Sequence, residues 1–289
     1  MNRILIYVSL LIAVICIGFA AIFIRLADAP GIISAFYRMF IATVAFSPVA
    51  LFEIFKRRKS IKIQGILYAL LAGAFFGIDL SFWSTGVVLS GATMPTLFAN
   101  MAPLWVGIGS IILFKEKQKW LFWLGLMIAL TGALMVFQND FSNTEIEGKG
   151  TLLGFIAAIF YSAFFFVASE GRKYVNTIIF FWFSTLGSCI VLLVSVLINN
   201  YNLSGYDVNT YLYFLGLGLG VQIIGWLLVN NVQGHLPATL VAPTLLGQPI
   251  ATAILAVFLL HDEKLGFWHL AGGVVVLSGI FLVHYGKSR

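Results

Sequence analysis

Residues 179–198 read IFFWFSTLGSCIVLLVSVLI, a run without a charge and apolar on every side. An α-helix rises about 1.5 Å per residue, so a run of this length covers the ~30 Å hydrocarbon layer of a bilayer. A transmembrane barrel would instead show alternating segments of about ten residues. The same texture fills most of the chain. Apolar residues make up 61% and charged residues 10% of its 289 positions, where a soluble domain carries roughly a quarter charged residues. The mean hydropathy is +1.01. The fold class is therefore an all-α polytopic membrane protein. Lipid leaves no other way for a spanning segment to close its own backbone hydrogen bonds.

Working outward, ten segments reach or approach membrane length: 4–24, 33–55, 63–85, 92–114, 120–137, 150–169, 177–198, 210–230, 237–260 and 267–285. They are numbered here as spans 1 to 10. The first is too long for a signal-peptide core and lacks a small-residue cleavage site, so it is read as a span. The longest connections, Gln138 to Gly150 and Asn199 to Asn209, are rich in Asn, Asp, Ser and Gly, as loops are. Cys16 and Cys189 both fall inside spans and are read as small apolar fillers, neither a disulfide nor a metal site.

Charge sets the expected orientation. With the N-terminus in the cytoplasm, thirteen Lys and Arg lie inside: Arg3, the cluster Lys56 to Lys62, Lys115, Lys117, Lys119, Arg172, Lys173, Lys287 and Arg289. Only Arg25, Lys149 and Lys264 fall outside, with Asp140, Glu145, Glu147 and Asp207. The positive-inside rule thus predicts both termini in the cytoplasm of a bacterial-type inner membrane. The formal charge of +6 then reflects topology beside anionic lipid rather than nucleic-acid binding.

The chain repeats itself. Ala92-Thr93, Pro103, Glu116 and Thr131-Gly132 are followed by Ala238-Thr239, Pro249, Glu263 and Ser278-Gly279, offset by 146 and then 147 residues. Five spans per half is an odd number, so the halves cross the membrane in opposite senses. The predicted units are 1–138 and 150–286, together one transmembrane domain of two inverted five-helix repeats. Such inversion places a site near the midplane that opens alternately to either side.

At these residues the chain resembles the drug/metabolite transporter superfamily, in its EamA-like branch. The resemblance rests on Phe19 to Arg25, Ala35-Phe36-Tyr37-Arg38, Ala92-Thr93 through Asn100-Met101-Ala102-Pro103, Lys115-Glu116, and Gly125 to Gly132, and covers essentially the whole chain. It implies a ten-helix carrier whose cavity is lined mainly by spans 1, 3, 4, 6, 8 and 9, with spans 5 and 10 peripheral. Members similar to this chain export amino acids or other small metabolites; substrate does not transfer with the fold. Nothing in the second half matches Arg38 or Asp79.

Asp79 is the one carboxylate read as deep within a span, and Arg38 lies at similar depth, about 10 Å from the outer helix ends. A central Asp or Arg costs about 2.5–3.5 kcal/mol on translocon scales and needs a partner or a task. Two readings stay open: an ion pair joining spans 2 and 3, or a cavity-facing Asp79 that couples protons or holds a substrate ammonium. Trp83, four residues after Asp79, is either a ring beside the carboxylate or an interfacial anchor. Asn100, Tyr161, Gln222 and Gln248 are mid-depth polar groups on spans 4, 6, 8 and 9, placed either to bind a zwitterion or to tie helices together. Asn230 and Asn231 are expected at a span end facing water.

Pro95 with Pro103 and Pro243 with Pro249 break spans 4 and 9 at matching positions, where inverted-repeat carriers build sites. Gly73 with Gly77, and Gly216 with Gly220, make small-xxx-small faces for close helix approach. The expected activity is secondary transport of a small organic solute, outward, proton-coupled or exchanging, without a cofactor, a metal or catalytic residues. A homodimer is left open. The alternative, a membrane enzyme acting on lipid head groups, requires clustered acid, base or metal residues at one interface, and none is visible.

Overall fold

A computed structural model describes residues 3–57, 61–90, 93–136, 148–259 and 266–288. Among the described residues every regular element is a helix. Span 1 is Arg3–Leu26, span 2 Gly31–Arg57, span 3 Ile63–Ser90, and span 4 the pair Thr93–Ala99 and Ala102–Phe114. Span 5 is Trp120–Val136, span 6 Gly148–Gly171 and span 7 Thr177–Ile198. Span 8 joins Val208–Leu215, a π-helical segment Gly216–Trp226, and Leu227–Gln233. Span 9 joins Ala238–Thr244, a 3-10 turn Leu245–Gly247, and Gln248–Leu259; span 10 is Phe267–Ser288. Nine of these described spans are long and apolar enough to cross a bilayer, and span 5 is a shorter apolar helix of 17 residues.

Several expected boundaries move. Span 3 runs on to Ser90 rather than ending at 85, so Asp79 sits about 16 Å from its end, deeper than expected. Span 6 begins at Gly148, inside the segment read as loop. Span 4 divides into two helices at Asn100 and Met101. The repeat landmarks Ala92 and Glu263, the acidic loop residues Asp140, Glu145 and Glu147, and Arg58, Lys59, Lys264 and Arg289 lie outside the described residues.

The molecule wears its apolar residues outward. Phe52, Phe55, Phe258 and Phe281 are each at least 66% exposed, while Ser34, Arg38, Glu53, Asp79 and Gln222 are buried. In water such a surface would be an association liability; against hydrocarbon it is the neutral choice.

Glycine sets how closely the helices approach. A Cβ on Gly73 would lie 2.0 Å from the Ser184 carbonyl oxygen, and the Ser188 hydroxyl donates to the Gly73 carbonyl at 2.7 Å, which locks span 3 to span 7. Gly218 on span 8 lies against Ile41 and the Arg38 carbonyl of span 2. Positions 73 and 218, like positions 38 and 184, are about one repeat apart, so this is one contact seen in both halves. Spans 5 and 10 add a self-paired version: Gly125 faces Gly279 and Val283, and Gly132 faces Gly272 and Val276. That reciprocal, antiparallel exchange is what two inverted repeats produce around a pseudo-twofold axis. Gly220 departs from the expected face, since a Cβ there would meet nothing within 4 Å.

Two polar knots tie the lysine-rich end. Arg172 donates from Nε to the Asn230 carbonyl at 3.0 Å, from Nη1 to the Val175 carbonyl at 2.6 Å and from Nη2 to Thr177 Oγ1 at 2.6 Å. It therefore joins spans 6, 7 and 8 and is more than a topological charge; burial lowers its pKa to about 10, which leaves it protonated at neutral pH. Glu53, a second buried carboxylate that the sequence reading passed over, accepts from Asn176 Nδ2 at 2.7 Å and pairs with Arg57. At the opposite end Asp207 caps span 8 by accepting the Thr210 N–H at 2.9 Å. Hydrogen bonds from Thr210 hold its carboxyl below the usual range, so the cap persists at neutral pH and weakens as acidity approaches that lowered value.

Two stability predictions follow from this packing, both read as melting of the detergent-solubilised protein. Gly279→Val sets a Cβ 2.3 Å from the Ala129 nitrogen, and overpacking of this kind costs about 1–3 kcal/mol. Gly220→Ala leaves the melting point unchanged, and equal shifts in the two variants would contradict the backbone packing described. Arg172→Lys cannot span three acceptors and loses about 1.5–3 kcal/mol; a wild-type melting point would remove the knot from the account.

Candidate functional site

Arg38 is the centre of the candidate site. It lies on span 2, seven residues in from Gly31, and is 4% exposed. Its Nε donates to Gln222 Oε1 at 2.8 Å, and its guanidinium carbon stands 5.8 Å from the centroid of the Phe76 ring. Span 8 and span 3 thus grip one cation from two sides, by a hydrogen bond and by the face of a ring. Nη2 is buried with no partner. A guanidinium has five donors in a fixed fork, and a buried donor group without a partner is costly.

Asp79 lies three residues after Phe76 on span 3 and is 5% exposed. It attracts Arg38 electrostatically, but among the described residues no ion pair within 4.0 Å joins the two. The two charges share one buried region without neutralising each other by contact.

Gln222 reaches Arg38 from the π-helical part of span 8. Widened turns of this kind are rare and recur at functional sites. Here the segment carries Gly216, Gly218, Gly220 and Gly225, and span 8 threads closely past Phe23 and Ile17 of span 1 and Ile41 of span 2. Tyr161 enters from span 6. Its hydroxyl faces Gln248 of span 9 and lies in the fields of both Asp79 and Arg38. Its ring belongs to an aromatic cluster with Phe76, Phe164, Phe165 and Trp226, whose centroids lie 4.5 to 6.5 Å apart.

The four prolines are buried and frame the two broken spans. Proline has no N–H to give the carbonyl four residues back. Pro103 leaves Ala99 without that bond, and the chain turns at Asn100 and Met101; Pro249 leaves Leu245, and the 3-10 turn runs from Leu245 to Gly247. Each break falls between a pair of prolines, Pro95 and Pro103 or Pro243 and Pro249, about one repeat apart. Asn100 is half-buried at the first break, and Gln248 starts the helix after the second.

Other residues take different places from those expected. Trp83 donates its indole N–H to Thr96 Oγ1 at 3.0 Å, which commits it to joining spans 3 and 4. Asn230 does not face water: it is 2% exposed, donates to the Trp226 carbonyl at 2.8 Å and accepts Arg172 on its own carbonyl. Asn231 accepts the Thr177 hydroxyl at 3.1 Å. Phe76 and Trp226 escaped the sequence reading because an aromatic residue in an apolar run carries no mark of what its face covers.

A cavity lies away from Arg38. It holds about 330 Å³ and opens at the lysine-rich ends of spans 4, 6, 8 and 9, lined by Ser110, Ser169, Arg172, Gln233, His235 and Thr239 among others. Along span 8 it is eleven residues from Gln222, about 16 Å. Toward the opposite end, Tyr37 stacks on Phe214 with centroids 4.6 Å apart and donates its hydroxyl to the Leu203 carbonyl at 2.5 Å.

Comparison with known proteins agrees with this architecture. An uncharacterized transporter of Bacillus subtilis (strain 168), YdfC, is 25% identical over 274 residues, which are 88% of this chain and 86% of that protein. A solved crystal structure superposes with a TM-score of 0.78 over 98% of each chain at 14% identity, a likeness of fold alone. The sequence model of the EamA-like transporter family matches residues 4–138 and again 148–285, one match for each five-helix half. The chain is a membrane transporter belonging to the EamA-like transporter family.

Proposed function

We propose that this protein is a secondary carrier that exports a small zwitterionic metabolite, such as an amino acid, by alternating access. The observation that carries the reading is the pair of buried charges that are not in contact. Arg38 keeps Nη2 unanswered, and Asp79 stands in the same region on the neighbouring helix. A solute carboxylate on Arg38 and its ammonium toward Asp79 would satisfy both, and a charged group in a low-dielectric site gains most from such pairing. Proton coupling enters if Asp79 takes a proton when the solute leaves; exchange results if only another solute can replace it.

The positive-inside rule favours the lysine-rich face as cytoplasmic, in a bacterial-type inner membrane. With that orientation the cavity of about 330 Å³ opens to the cytoplasm short of Arg38, while Tyr37 stacks on Phe214 toward the outer side. Inverted repeats give the outward-facing state by exchanging the roles of the two halves.

Proteoliposomes loaded with labelled amino acids, with and without a pH gradient, test the reading. Arg38→Gln removes a charge-assisted bond of about 1.5–3 kcal/mol, so apparent affinity falls about 10- to 150-fold. Asp79→Asn stays in the membrane but loses pH-dependent transport or uncouples it. Undiminished pH-dependent transport by Asp79→Asn would end the coupling role, and wild-type protein that moves no member of the panel would end the substrate class.

A further inference from the structure

A face of span 8 leads from the central site to the cavity at the lysine-rich end. Trp226, Asn230 and Gln233 follow one another at four and then three residues, so they share one side of the helix, four residues on from Gln222. All three are buried, at 3%, 2% and 4% exposure, and each carries a polar atom without a partner: the Trp226 indole N–H, Asn230 Oδ1, and both amide atoms of Gln233. Native interiors hold few such atoms, and each costs about 1–3 kcal/mol. Four such atoms, on three residues in one line of one helix, are a pattern that packing does not require. Facing the last of them across the cavity, Ser169 on span 6 has a buried hydroxyl that is also unpartnered.

The chemistry of these atoms is mixed and uncharged. Trp226 offers a donor, Asn230 an acceptor, and Gln233 and Ser169 both. The charged groups that line the same cavity are already engaged: Arg172 with three acceptors, Glu170 with Lys173 at 2.5 Å, and Glu116 with the Gln118 amide at 2.9 Å. A lone anion or cation gains little there. A solute with a donor and an acceptor at one end, as an α-amino acid has, matches the whole line.

We infer that the lysine-rich half of the permeation path runs down this face of span 8, and that Gln233 and Ser169 form a second, staging site there for the zwitterionic solute. The inference rests on the carrier reading above and extends it to a site apart from Arg38. Between the two sites stands Trp226, covered by the rings of Phe76, Tyr161 and Phe164 at 4.5 to 5.9 Å, so the path is closed at that level in this conformation.

Thiol labelling tests it without needing transport. In a background with Cys16→Ala and Cys189→Ala, Ser169→Cys is near-isosteric and keeps the fold, and Gln233→Cys serves as the second probe. A membrane-impermeant cationic thiosulfonate is applied to each face of oriented vesicles, with and without a mixture of the standard amino acids. The expected result is modification from the lysine-rich face only, slowed about fivefold when the mixture reaches about four times its Kd. Absence of modification at both positions from that face, equal modification from both faces, or a rate untouched by the mixture overturns the inference. The carrier reading fails on a different measurement, the empty uptake panel, so the two failures are told apart.

Discussion

Hydrocarbon offers no hydrogen bonds, and that one constraint organises the protein. Every backbone group must be answered within its own helix, and every polar side chain must turn inward or reach an end. The exposed surface is accordingly Phe, Leu, Ile and Val, and the interior collects Ser, Thr, Gln, Asn, Arg and Asp. Since lipid is as apolar as leucine, burial of apolar area does not drive the helices together. Close packing at glycine and interhelical hydrogen bonds do that work instead. Gly73 against Ser184, Gly218 against Ile41 and the Gly125–Gly279 pair are the points where the structure depends on having no side chain at all.

The same constraint gives the breaks in spans 4 and 9 their meaning. A helix interrupted in lipid exposes carbonyls that nothing can answer, so irregular backbone is tolerated only inside a protein or beside a cavity. Proline withdraws a backbone hydrogen bond from Ala99 and from Leu245, where the two breaks fall, and the π segment of span 8 adds a third departure from regular helix around Gln222. The departures in spans 8 and 9 fall where Arg38, Tyr161 and Gln248 gather.

The two halves are alike in backbone and unlike in charge. Glycine contacts repeat across the pseudo-twofold axis, yet Arg38 corresponds to Ser184 and has no charged counterpart. Arg38 joins the halves at the site itself, since its partners Phe76 and Gln222 come one from each repeat.

Helix number, inversion and the paired prolines were legible in the sequence, because hydrophobic length, charge placement and missing N–H groups act locally along the chain. Arg38, Asp79, Tyr161, Gln222 and Gln248 could be named as polar residues in apolar runs for the same reason. Their partnerships were not legible. Whether Arg38 meets Asp79 or Gln222 depends on the rotation of three helices, and that rotation is set by glycine contacts more than a hundred residues apart and by a widened turn no local rule announces. The burial of Glu53 and Asn230, the bond from Trp83 to Thr96, and the unanswered line from Trp226 to Gln233 likewise exist only once tertiary packing decides which side of each helix faces which neighbour.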